Sequence, residues 1–188
     1  MAIKIFIDQG HNPVNPNAGA EANGVREQDI NFEVGIRLAE LLNNNPNFEA
    51  RLSRPTADTQ LGNSVTTSLQ ARVDGANNWP ADLFISLHCN ISEITTASGS
   101  EAFVYSAGSA AYDVATRILE GLHNQTGLPN RGVTVTTHLY VLRNTSMPAV
   151  LVEMGYMSNP TDLELLTNDP QSFARGIYNG LLTYYGLA

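Results

Sequence analysis

Three apolar runs in this chain end in residues that can bind a metal or carry a proton. Ile3 to Asp8 leads into Gly10-His11, Leu83 to Leu87 into His88, and Val150 to Val152 into Glu153. If these runs are neighbouring parallel strands, their carboxyl ends share one edge of a sheet, which is where open α/β folds place their ligand sites. Two imidazoles and a carboxylate then converge.

The rest of the pattern agrees with such a sheet. Strand and helix signals alternate along the chain with no internal repeat and no linker, which predicts a three-layer αβα fold with a mostly parallel central sheet. After the strand Lys4 to Asp8 comes a long polar loop, Gln9 to Arg26, of the kind that usually carries function. A helix is predicted from about Glu27 to Asn44, with Ile30, Val34, Leu38, Leu41 and Leu42 on one face and an Asn run and Pro46 to end it. Further on, strands are predicted at Glu49 to Ser53, Asp82 to His88, Gly99 to Tyr105, Leu139 to Leu142 and Val150 to Glu153. Helices are predicted at Ser64 to Asn78, where Val65, Leu69 and Val73 repeat every four residues, at Ala110 to Thr126 and at Phe173 to Tyr185.

At 188 residues, 43% hydrophobic and 15% charged, the chain is long enough to bury a full core as one domain spanning residues 1–188. A formal charge of -8 with no cluster of Lys or Arg argues against nucleic-acid or anionic-membrane partners. The single cysteine, Cys89, excludes an internal disulfide framework and an all-thiolate metal site. There is no basic-then-apolar leader, and no apolar stretch approaches membrane-spanning length.

Hydrolytic zinc sites use three protein ligands from His, Asp, Glu or Cys and leave a fourth position for water. His11 and His88 supply two. Among Glu21, Glu27, Asp29 and Glu33, position favours Glu27. It falls in the first turn of the predicted helix and is held near the sheet edge, whereas Glu21 lies in the loop and Glu33 lies further along the helix. Glu153 is then a carboxylate beside the metal, where a general base belongs.

With these residues in place, the chain resembles the zinc-dependent N-acetylmuramoyl-L-alanine amidases of the amidase 3 type. The likeness runs through Ile7-Asp8-Gln9-Gly10-His11, Gly19-Ala20, Gly24-Val25-Arg26-Glu27 and Ala81-Asp82-Leu83-Phe84-Ile85-Ser86-Leu87-His88-Cys89-Asn90. It continues through Gly99-Ser100-Glu101, Asn130-Arg131-Gly132-Val133, Leu139-Tyr140-Val141-Leu142-Arg143 and Met147 to Tyr156. The resemblance implies one Zn²⁺ per chain held by His11, Glu27 and His88, with Glu153 as the catalytic carboxylate. It also implies peptidoglycan as substrate, action at the bacterial cell wall, and wall-binding domains or a regulator supplied from outside this chain. The chain departs from the family at Asn12-Pro13-Val14-Asn15-Pro16-Asn17, where further glycines and an aspartate are usual, and at Cys89, where alanine is usual. The short stretch between Asn90 and Gly99 leaves no room for the plugging helix of inhibited relatives, so an open site is expected.

Each residue also has a plainer role to play. Glu27 suits a helix N-terminus by its charge, and His123 suits a helix C-terminus. Cys89 should point away from His88, because neighbours on a strand face opposite sides, and is expected to be an apolar filler. His138 is a candidate substrate contact, and Asp8 and Ser86 are candidates to orient the ligands. Two other functions compete: a zinc hydrolase for a different acyl bond, and a non-catalytic wall-binding module.

Overall fold

The computed structural model describes all residues 1–188. Its strands are β1 (Ile3–Gln9), β2 (Glu21–Ala22), β3 (Val25–Arg26), β4 (Phe48–Leu52), β5 (Leu83–Asn90), β6 (Ser100–Val104), β7 (Asn130–Val135) and β8 (Ala149–Tyr156). Its helices are α1 (Glu27–Asn43), α2 (Val65–Asn78), α3 (Ala110–Thr126), α4 (Tyr140–Asn144), α5 (Pro160–Asn168) and α6 (Pro170–Tyr184). Six strands form one sheet in the order β4-β1-β5-β8-β6-β7, and only the β6–β8 pairing is antiparallel. The three runs that end in His11, His88 and Glu153 are therefore adjacent and parallel, as the sequence predicts.

Strand alternation divides the sheet residues between two cores. Ile5, Ile7, Leu83, Ile85, Leu87, Val150 and Val152 face α1, α3 and α6, and bury Val34, Leu38, Ile118, Phe173 and Ile177. Phe6, Phe84 and Leu151 face the other way, and are covered by α2 and α4 through Val73, Ala76, Val141 and Leu142. Helices on both faces give the αβα layering. The same alternation turns Asp8, Ser86, His88, Glu153 and Glu101 toward the second face, with the last three at the carboxyl ends of β5 and β8 and on β6 opposite Glu153.

The first core is closed by an unusually near approach of α3 to α6. A Cβ built on Gly121 would lie 2.2 Å from the Gly176 carbonyl oxygen, and one on Gly180 would lie 2.5 Å from that of Arg117. Backbone meets backbone, so neither helix can yield by turning a side chain. Gly121→Ala is expected to cost about 1–3 kcal/mol, the usual range for overpacking, measured as a lower denaturant midpoint.

Four expectations need correction. Leu139 to Leu142 is no strand: it forms the start of the short helix α4, which presents Val141 and Leu142 to the second core. Short apolar runs fit either structure, and the sheet edge here is already taken by β7, whose Gly132 and exposed polar residues hide it from the pattern. The helix α5 was not anticipated, although Asn159 and Pro160 mark its start: Asn159 Oδ1 accepts from the Thr161 and Asp162 amides. On α2 the predicted apolar face is only partly the buried one. Val73 is buried and Leu69 packs beside it as predicted, but Val65 is exposed, and the buried face extends instead to Ser68, Arg72 and Ala76. Finally, the loop Gln9 to Arg26 contains the hairpin β2–β3, which turns at Asn23-Gly24 with both residues at positive φ.

Candidate active site

That hairpin delivers the chain to α1 in a fixed register. The Glu27 amide donates to the Ala20 carbonyl at 2.9 Å, and the Ala20 amide donates back to Glu27 Oε2 at 2.9 Å. The other carboxylate oxygen, Oε1, accepts from the Cys89 amide at 3.2 Å. A buried carboxylate on the first turn of α1 is thus tied both to the loop before it and to β5.

The two histidines arrive from the sheet. β1 ends at Gln9, the next amide, that of Gly10, still donates to the Leu87 carbonyl, and the chain then leaves the sheet through His11 at φ 68°. Gly10 has no room for a side chain, since a Cβ there would lie 2.5 Å from the His88 ring. Gly19 is similarly pressed, with Glu27 Oε2 at 2.8 Å and His11 Cδ2 at 2.9 Å from the position its Cβ would take. Small residues in the motifs therefore let the two rings and the carboxylate close on one another.

Their closure is tight. Glu27 Oε1 lies 3.1 Å from His11 Nε2 and 3.0 Å from His88 Nδ1. The rings meet edge to face, with centroids 4.8 Å apart, and one ligand atom from each of the three residues falls within 4.8 Å of the others. Two nitrogens and one oxygen from three separate elements form a donor set that suits zinc.

Burial and close pairing set the electrostatics of these groups. Burial would raise the Glu27 carboxyl, but hydrogen bonds from His11 and His88 outweigh it and hold the group well below the usual carboxylate range. Burial likewise opposes a proton on His88, yet Glu27 and Glu153 keep its proton affinity above the ordinary imidazole value. Glu153 behaves in the opposite way. Burial, reinforced by the charges of Glu27 and Glu101 and opposed by His88, pushes its carboxyl up to about 7. Its Cα pairs with that of His88 across β5–β8, and its Oε2 is buried without a hydrogen-bond partner.

A cavity of about 310 Å³ joins these groups, lined by His11, His88 and Glu153 with Phe103, Thr136, Leu139 and Leu151. A second cavity of about 280 Å³ shares both histidines and extends past Asn17, Arg72 and His138 toward α4. The larger depression, about 550 Å³, lies at the amino ends of β1 and β5 beside Tyr184 and Tyr185 and contains no cluster of ligating residues.

The Amidase_3 family, described as N-acetylmuramoyl-L-alanine amidase, matches residues 5–183. The chain belongs to the amidase 3 family. N-acetylmuramoyl-L-alanine amidase CwlM of Bacillus licheniformis is 36% identical to it over 190 residues, spanning 99% of this chain and 70% of CwlM. The catalytic domain of the amidase CwlV from Bacillus (Paenibacillus) polymyxa superposes with a TM-score of 0.86 at 29% identity over 99% of both chains. The CwlD amidase of Clostridioides difficile, solved in complex with the GerS lipoprotein, gives a TM-score of 0.89 at 26% identity over 99% of this chain and 100% of that one.

In this amidase 3 chain the residues singled out by sequence fall into two groups. His11, Glu27, His88 and Glu153 come together, while Glu21 and Glu33 are exposed and distant in role, Glu33 pairing with Arg37 on the helix surface. Cys89 turns its thiol into the first core, 3.6 Å from Asn31 Oδ1, with burial raising its proton affinity well above that of a free thiol. His123 occupies the last turn of α3 and its Nδ1 lies 2.8 Å from the Leu128 carbonyl. Asp8 and Ser86 hydrogen-bond to neither imidazole: Ser86 Oγ donates to Asp8 Oδ2 at 2.7 Å, and Asp8 Oδ1 accepts from Arg72 at 2.6 Å. Three further residues near the site carry no role in the sequence reading, although Glu101 falls within the Gly99-Ser100-Glu101 likeness. Glu101 lies across the β6–β8 ladder from Glu153 and accepts from Asn90 at 2.6 Å and Tyr156 at 3.0 Å. Arg54 and Arg72 are buried cations beneath His11. No spacing announces any of them; a charge amid apolar neighbours on α2 was the only signal for Arg72.

Proposed function

We propose that residues 1–188 form one catalytic domain that hydrolyses the amide between N-acetylmuramic acid and L-alanine in peptidoglycan, at the bacterial cell wall. On this reading zinc is held by His11, Glu27 and His88, one ion per chain. The observation that carries it is the convergence of those three side chains next to a partnerless, proton-holding carboxylate. Zinc in such a site supplies Lewis acidity, which makes water a nucleophile at neutral pH and polarises an acyl carbonyl.

The chain's own groups do the rest. Glu27 fixes the spacing of the two imidazoles, because the Ala20 and Cys89 amides leave its carboxylate little freedom. Glu153 takes a proton from the attacking water and returns it to the departing nitrogen. Burial favours the protonated carboxyl and a cation beside it favours the ionised one, so Glu153 is balanced between accepting and returning the proton. Phe103, Leu139 and Leu151 line the cavity around it and limit water beside the reacting bond.

The bond is tested by its products. Digestion of purified peptidoglycan is expected to release peptides with a new N-terminal L-alanine, in step with falling turbidity, and to create no new reducing ends. New reducing sugars would point to a glycosidase, which uses two carboxylates flanking the sugar. New amino groups on other residues would point to a peptidase, and intact lactyl-alanine bonds after exhaustive digestion would defeat the assignment.

A further inference from the structure

Of the three proposed ligands, only His11 has its backbone in the left-handed region, at φ 68°. An L side chain enters that region only when its surroundings hold it there. The holding groups are visible. The His11 carbonyl oxygen accepts from Arg72 Nη2 at 2.8 Å and from Arg54 Nη1 at 3.3 Å, and both arginines are 1% exposed.

Each guanidinium fastens His11 to a different part of the site. Arg72 also donates to Asp8 Oδ1 at 2.6 Å, to the Gln9 carbonyl at 2.7 Å and to Asn12 Oδ1 at 3.2 Å, so it ties the His11 turn to the end of β1. Arg54 donates to the Gln28 carbonyl at 3.1 Å and to that of Ala57 at 2.8 Å, so it ties the same turn to the residue after Glu27. Ser86, two positions before His88 on β5, steadies Asp8 from below. One carbonyl thus joins a residue at positive φ, two buried donors, and their anchors beside the elements that bear the other ligands.

Stability alone is a poor reason for this arrangement. Two cations are buried together, and Asp8 is the only carboxylate that either hydrogen-bonds. Burial and the neighbouring Arg72 charge both weaken the hold of Arg54 on its proton. Buried clusters of this kind are weak evidence for stability, and the two bonds to the His11 carbonyl give this one a second role, that of fixing a geometry.

We infer that Arg72 and Arg54 are positioning residues, which clamp the His11 carbonyl and thereby hold its imidazole ready for the metal. The inference rests on the zinc reading of His11. It is tested by zinc affinity, measured in competition with a chromophoric chelator, and by the visible spectrum of the cobalt-substituted protein. Arg72→Met and Arg54→Met are each expected to bind zinc at least ~10-fold more weakly, the lower end for lost support behind a ligand, and to shift the cobalt bands. Arg72→Lys keeps the charge but loses the planar fork, and is expected to side with Arg72→Met.

Gly121→Ala, on the far side of the sheet, is the control: a weaker fold with unchanged zinc affinity. Arginine variants that behave like this control, less stable but with wild-type zinc affinity and cobalt spectrum, would overturn the inference. Should Arg72→Met fail to fold, Arg72→Lys and Asp8→Asn carry the same measurements, the latter removing the anchor while leaving the guanidinium. Wild-type protein that binds no zinc would instead overturn the metal reading itself, a result distinct from equal affinity in wild type and variants.

Discussion

Protein stripped of metal by a chelator is expected to lose its activity on peptidoglycan down to background, and about one equivalent of zinc per chain is expected to restore it. The reason lies in how little else at the site could activate water. His11, Glu27 and His88 are locked on one another, and the remaining carboxylate, Glu153, can accept a proton but cannot polarise the acyl carbonyl. His11→Ala and His88→Ala should weaken zinc binding strongly. Glu21→Gln and Glu33→Gln should not, because both carboxylates face solvent away from the imidazoles. The pH dependence has a definite sign. His88 holds its proton above the ordinary imidazole range, and zinc must displace it, so affinity should fall as pH is lowered. Full activity in rigorously metal-free protein would end the zinc reading, and a loss caused by Glu21→Gln would move the third ligand.

Much of this site was legible before the structure, and the reason is geometric. A strand places a residue at its end whatever the details of packing, so three apolar runs ending in His11, His88 and Glu153 already specify one sheet edge once the strands are parallel neighbours. Glu27 was legible because a helix start is itself marked in sequence. The supporting shell was not. Arg72 lies on α2 one residue before the apolar Val73, and the four-residue repeat of Val65, Leu69 and Val73 marks a face beside which tertiary contacts also bury the guanidinium. Arg54 follows an edge strand, where a charge reads as solvated. Asp8 and Ser86 are linked to His11 through Arg72 and the His11 carbonyl rather than through a ring nitrogen. The exchange of α4 for a strand has the same origin: four apolar residues carry no period of their own, and the neighbours that decide between helix and strand are distant in the chain.

Glu153→Gln separates binding from chemistry. The variant is expected to keep its fold and its zinc yet turn over peptidoglycan at least ~10²-fold more slowly, the lower end for a lost acid-base group. Glutamine has the same shape and can occupy the same place on β8, but it neither takes the proton of water nor returns it to the leaving nitrogen. A second measurement on the same variant checks that the carboxyl is in the environment that suits it to this task. In metal-free protein Glu153 keeps its proton up to about 7, against an ordinary value of 4.5. The folded state then binds more protons than the unfolded state between those values, so stability present below the lower one is lost as pH rises through the upper one. Glutamine carries no such charge. Chelated Glu153→Gln should therefore gain melting temperature over chelated wild type at about pH 8 and lose that advantage at about pH 4. A divalent cation beside the carboxylate favours its ionised form, so zinc should shrink the difference at high pH. Near-normal turnover in the variant would remove Glu153 as the base, and an advantage independent of pH would mean that the carboxyl is not held protonated by its surroundings.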